Sequence, residues 1–139
     1  MSKCQVFSFL NNLNEVVEDG LYMQAVVGDK ISVGVVNFVE PGGPEIAPKS
    51  HSHGEEVTLQ IKGGCAVYLG DNEEQLNDPQ VQLEAGRIMV MPTGQPHYGI
   101  NRYDQKGQCL RLNVVTPPRK EYGSKDNTKT YYPGAEEAK

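Results

Sequence analysis

The chain carries three histidines, and their spacing is the first chemical signal in it. His51 and His53 are two residues apart, while His97 lies far downstream in the turn-rich stretch Thr93-Gly94-Gln95-Pro96-His97. Positions i and i+2 of a β-strand face the same side, so His51-Ser52-His53 sets two imidazoles side by side. Neutral imidazole suits Zn, Cu, Fe and Ni, and such a pair can hold one divalent metal. Two acids, Glu55 and Glu56, follow directly after Gly54. Parity decides which of them joins the histidines. An unbroken strand continues the histidine face through Glu55 and turns Glu56 away. A turn or bulge at Gly54 resets the phase, and Glu56 then shares its inward face with Thr58 and Gln60.

The segment His51-Ser52-His53-Gly54-Glu55-Glu56-Val57-Thr58-Leu59-Gln60-Ile61-Lys62-Gly63 resembles the first cupin motif, a His-x-His pair followed by Glu, six residues and Gly. The segment Gly86-Arg87-Ile88-Met89-Val90-Met91-Pro92-Thr93-Gly94-Gln95-Pro96-His97-Tyr98-Gly99-Ile100-Asn101 resembles the second. That motif reads Gly, five residues, Pro-x-Gly, two residues, His, three residues, Asn, and every fixed position matches. The two motifs cover 51–101, and the strand pattern extends the resemblance over about 31–116. Two departures stand out. Only Gly54 and Glu55 separate His53 from Glu56, where the family usually has three or four residues, so Glu55 and Gln60 remain alternatives to Glu56 as the ligand. Arg87 follows Gly86 where the family often has Asp, and it is expected on the outer face.

The resemblance implies an all-β fold, a double-stranded β-helix or jelly-roll barrel. It also implies one divalent transition metal per subunit (Fe, Mn, Zn or Ni), held by His51, His53, Glu56 and His97. Such a ligand set leaves one or two coordination positions open for substrate or for an activated water. Cupins with similar ligands include dioxygenases, isomerases, decarboxylases, lyases and polyketide cyclases; others bind sugars or metabolites without catalysis. The first expectation is therefore a metal-dependent enzyme acting on a small oxygenated organic compound. The alternative is a non-catalytic ligand-binding or sensing module. Glu56 or Glu55 can serve as general base where it is not tightly held by metal. Gln60 is placed behind the ligands. Arg111 shares one strand face with Cys109 and Asn113; at the barrel mouth it can clamp a substrate carboxylate. The alternative for Arg111 is a solvated side chain or a subunit contact. Met89 and Met91 read as barrel packing, and Tyr98, of opposite parity to His97, as packing outside.

The elements that must position these residues are strands. Runs rich in Val, Ile, Leu and Tyr at 21–27, 31–39, 46–53, 56–62, 65–70, 80–84, 87–91, 97–102 and 108–116 are bounded by turn residues such as Gly63-Gly64 and Asn77-Asp78-Pro79. Starts spaced by about 8–12 residues fit a sandwich or barrel better than βαβ units. A strand is expected over 3–10 and one short helix over Asn11–Val17. Gly63, Gly86 and Gly94 are expected at tight turns. Residues 1–118 read as one domain, and 119–139, polar except for Tyr122, Tyr131 and Tyr132, as a tail packed loosely or against a neighbour.

Composition sets outer bounds. At 139 residues the chain has the length of one domain with its own core. The net charge is −5 and no basic patch forms, which argues against nucleic acid as a partner. No run approaches the ~20 apolar residues of a membrane span. Met1-Ser2-Lys3-Cys4-Gln5 lacks the plan of a secretion signal, so a cytoplasmic protein is expected. Cys4, Cys65 and Cys109 show no metal or redox spacing and read as reduced, buried thiols. A homodimer is expected through the N-terminal strand or the tyrosine-bearing tail.

Overall fold

The computed structural model describes residues 4, 6–8, 10, 13–17, 21–38, 53–72, 75–101, 109–119 and 129–131. Among the described residues there are ten strands and no helix. They are β1 (Asn14–Val17), β2 (Leu21–Val27), β3 (Ser32–Phe38), β4 (Glu55–Lys62), β5 (Gly64–Asn72), β6 (Gln75–Glu84), β7 (Ile88–Met91), β8 (His97–Asn101), β9 (Cys109–Thr116) and β10 (Lys129–Tyr131). β-Branched and aliphatic residues favour this pleated, half-buried surface. The two-residue period is visible in β2, where Met23, Ala25 and Val27 are buried and Tyr22, Gln24 and Val26 only partly so.

The strands form two sheets. The larger runs β1-β2-β3-β9-β4-β7, with β10 also paired to β2; the smaller runs β6-β5-β8. Neighbours are antiparallel except β10 and β2. This is a jelly roll, in which β3, β9 and β4, far apart in sequence, lie side by side. Inward-facing Met23, Ala25, Val36 and Phe38 of the larger sheet meet Cys65, Val67 and Leu83 of the smaller one in a single core. Full burial of each larger apolar side chain there stabilises the fold by about 1.5–3 kcal/mol. Across the larger sheet the register sets Glu56 beside Met91 and Val115, Thr58 beside Met89 and Asn113, and Gln60 beside Arg111. Polar side chains thus line the inward face of β4 from its first turn inward.

Several expectations meet corrections. Asn14–Val17 is a strand, not a helix; its pairing with β2 decides this, with Glu15 opposite Tyr22 and the Tyr22 hydroxyl donating to Glu15 Oε2 at 2.9 Å. The described residues among 3–10 hold no strand, and Cys4 is exposed rather than buried. The Asn77-Asp78-Pro79 turn is absorbed into β6. Pro79 sits opposite Tyr68, where the register slips, on an edge strand, and an edge or bulge is where a sheet tolerates a missing N–H. The tail also joins the fold, because Lys129–Tyr131 pair in parallel with Ala25–Val27. The 46–52 part of the expected 46–53 strand lies outside the described residues. Gly63, Gly86 and Gly94 do stand at turns, with φ of 70°, 85° and 78°.

Candidate metal centre

The site begins at a crowded point. A Cβ on Gly54 would stand 2.3 Å from Thr116 O and 2.6 Å from Pro117 Cδ, so only glycine lets the chain pass there. Directly after it β4 pairs with β9, Glu55 opposite Thr116 and Glu56 opposite Val115. The bend resets the phase: Glu55 is exposed and Glu56 is buried. His53, three residues before Glu56, therefore reaches the same carboxylate, with Nε2 at 2.8 Å from Glu56 Oε2. The turn before β8 is tied to this point, since Gly94 N–H donates to His53 O at 2.8 Å. His97, the first residue of β8, then brings Nε2 to 3.7 Å from the same oxygen. The two imidazoles meet edge to face, with centroids 4.9 Å apart.

The protons on these rings follow from their partners. His53 Nδ1 lies 2.9 Å from Gly54 O, and His97 Nδ1 lies 2.7 Å from Gln95 O. A carbonyl oxygen only accepts, so both Nδ1 atoms donate. In a neutral ring each Nε2 then carries a lone pair, and that tautomer is the one a metal-ligating histidine uses. The ligand atoms of His53, Glu56 and His97 lie within 4.8 Å of one another. Two imidazole nitrogens and a carboxylate oxygen form a donor set suited to Zn, Fe, Mn or Ni. Burial pushes the Glu56 carboxyl up. The His53 and His97 rings, the Thr58 hydroxyl and the Arg111 charge outweigh that effect and hold it well below the ordinary carboxylate range.

The other expected residues fall elsewhere. His51 lies outside the described residues. Gln60 is fully buried on the inward face of β4, four residues beyond Glu56; its Nε2 donates to Lys62 O at 2.9 Å and lies 3.6 Å from Cys109 Sγ. Its Oε1 has no hydrogen-bond partner among the described residues. Arg111 is not a solvated side chain. Its guanidinium carbon lies 4.9 Å over the Phe38 ring, Nη1 lies 2.9 Å from Cys65 Sγ, and Nε is shut off from solvent. Burial opposes its charge, yet Cys65, Cys109 and Glu56 outweigh that and push it up. The Cys65 hydrogen bond and burial raise the Cys109 thiol well above its ordinary range. Arg87 is exposed, Met91 is buried, and Tyr98 stacks on Tyr68 with centroids 4.6 Å apart. The sequence reading gave no role to Thr58 or Asn113. Thr58 Oγ1 lies 2.5 Å from Glu56 Oε1 and 3.2 Å from Asn113; the shared inward parity of Glu56 and Thr58 was the available signal.

Gly99 makes room for Arg111. A Cβ there would lie 2.6 Å from Arg111 Nη1 and 2.8 Å from Cys65 Sγ. Gly99→Ala is expected to destabilise the fold by about 1–3 kcal/mol, the usual cost of overpacking. Urea denaturation checks this, and an unchanged midpoint contradicts the packed guanidinium.

The family model for the cupin domain matches residues 36–115, more than half of the chain. The protein is a member of the cupin family. Over 64 residues this cupin is 28% identical to acireductone dioxygenase of Geobacillus kaustophilus (strain HTA426), a match covering 46% of this chain and 36% of that protein. The chain thus aligns with about a third of that relative's length. The structure of KdgF from Halomonas sp. superposes with a TM-score of 0.57 at 19% identity, covering 80% of this cupin and 94% of that chain. Oxalate oxidase in complex with the substrate analogue glycolate superposes with a TM-score of 0.60 at 19% identity, covering 80% and 58% respectively. At such identities the structural likeness shows the shared fold.

Proposed function

We propose that this cupin is a metal-dependent enzyme acting on a small oxygenated organic compound, with dioxygenase chemistry as the reaction to test first. The observation that carries the reading is the convergence of His53 Nε2, His97 Nε2 and Glu56 Oε2, three acceptor atoms within 4.8 Å, in the interior of the fold. When bound, a divalent transition metal supplies a Lewis-acidic position open to substrate. The chain's own residues do the rest. The Gly54 and Gln95 carbonyls hold the two rings in the ligating tautomer. Met91, beside Glu56 in the sheet, is buried with it. His51 is the fourth ligand that the first motif implies. The matched segment of acireductone dioxygenase favours dioxygenase over isomerase, lyase or cyclase chemistry.

The test loads stripped protein separately with Fe(II), Ni(II), Mn(II) and Zn(II). Oxygen uptake is then followed with acireductone and other small hydroxy-carbonyl compounds. Metal-dependent uptake is expected with a redox-active ion. Metal binding with every compound returned unchanged points instead to a non-catalytic binding module. Protons compete with metal for the same ligand atoms, so metal occupancy is expected to fall as the solution is made acidic. Equilibrium dialysis with elemental analysis measures this, and occupancy unchanged in strong acid contradicts histidine ligation.

Cytoplasmic residence and a homodimer belong to the same proposal. Ile88 and Val90 on edge strand β7 are 63% and 62% exposed, and an aliphatic edge strand favours pairing with a second copy. Light scattering on the eluting protein is expected to give twice 15.3 kDa, and the monomer mass contradicts it.

A further inference from the structure

The two oxygens of Glu56 have different surroundings. Oε2 faces His53 Nε2 at 2.8 Å and His97 Nε2 at 3.7 Å. Oε1 accepts from Thr58 Oγ1 at 2.5 Å. Thr58 Oγ1 also lies 3.2 Å from the Asn113 Oδ1 position, across a register that pairs the two residues directly. Glu56, Thr58 and Asn113 are all buried, Thr58 completely.

Counting protons orders this chain. A hydroxyl has one proton, and an ionised carboxylate, the form that ligates metal, has none. The Thr58 proton is therefore given to Glu56 Oε1. Thr58 Oγ1 can then only accept from Asn113, so the amide must turn its NH2 towards Thr58. Amide oxygen and nitrogen exchange by a half-turn, and the network decides between them. The result is a one-way chain of donors, Asn113 to Thr58 to Glu56, running from β9 to β4.

We infer that Thr58 and Asn113 are positioning residues that restrict Glu56 to a single ligating oxygen, so that a coordination position stays open for substrate. The inference rests on the metal reading of His53, Glu56 and His97. With Oε1 engaged by the hydroxyl, only Oε2 is offered to the space between the imidazoles. A carboxylate released from Thr58 is free to swing both oxygens inward and fill the open position.

The experiment uses the full chain with two probes. Zn2+ affinity is read by competition with a chelating dye. Co2+ is read by its visible absorption, which weakens as its coordination number rises. Thr58→Val keeps the side-chain shape and removes the hydroxyl; Thr58→Ser restores it; Asn113→Leu removes the donor that orients it. Thr58→Val is expected to weaken Zn2+ binding by about 10–100-fold, the usual cost of losing a ligand's outer partner. It should also weaken the Co2+ absorption, while Thr58→Ser stays close to wild type. Asn113→Leu is expected to move both readouts in the same direction by less, and it decides the matter if Thr58→Val does not fold. Wild-type affinity and spectrum in folded Thr58→Val overturn the inference and leave the metal reading standing. Wild-type protein that takes up neither ion overturns the metal reading and the inference together.

Discussion

Glu56→Gln is expected to remove tight binding of divalent transition metals. Glu56 Oε2 lies 2.8 Å from His53 Nε2 and 3.7 Å from His97 Nε2, and it is the anionic member of the three-atom donor set. A glutamine keeps the side-chain shape, and its oxygen can still accept from Thr58, but the negative charge and one carboxylate oxygen are gone. Metal affinity should fall by more than the 10–100-fold expected for an outer partner, because a ligand itself is lost. A metal titration checks this, and binding as tight as in the wild type contradicts the role given to Glu56.

Much of this site was legible in the residues. The second motif marks His97 through fixed turn chemistry, Pro92-Thr93-Gly94 ahead of β8, and that turn is held by Gly94 N–H on His53 O. The choice between Glu55 and Glu56 was legible only as a condition, because it depends on whether Gly54 bends the chain. The Thr116 carbonyl, 62 residues away, forces that bend, and no local pattern contains it. The strand at Asn14–Val17 was hidden for the same kind of reason, since a four-residue segment has too little periodicity to separate helix from strand and the β2 edge decides it. Pro79 misread as a turn shows the converse: proline breaks a central strand but is tolerated at a slipped register on an edge. The burial of the Arg111 side chain was not legible, because a charge is rare in a core. The space left by Gly99 and the face of Phe38 accommodate it, and neither is adjacent to it in sequence.

Gly54→Ala carries the second large expected effect. The added Cβ would lie 2.3 Å from Thr116 O, 2.6 Å from Pro117 Cδ and 2.7 Å from Thr116 C. Backbone atoms of a paired strand cannot swing aside as a side-chain end can, so the start of β4 must move away from β9. That movement costs stability, about 1–3 kcal/mol or more. It also displaces His53 relative to Glu56, and metal affinity is expected to fall with it. Gly86→Ala is the control. Its Cβ meets nothing within 4 Å, and only its φ of 85° resists substitution. That costs about 1–2 kcal/mol and should leave metal binding intact. Denaturation midpoints and metal titrations of the two variants, run together, separate a bend that shapes the site from a turn that carries the chain from β6 in one sheet to β7 in the other. Equal metal affinity in both variants contradicts the role given to Gly54.

The most direct test of the central claim is anomalous diffraction from crystals of stripped and reloaded protein, recorded at the absorption edge of the added metal. The account predicts one peak per chain, about 2.0–2.2 Å from His53 Nε2, His97 Nε2 and Glu56 Oε2. A map with no peak between these three atoms, or with its peak at other residues, contradicts it.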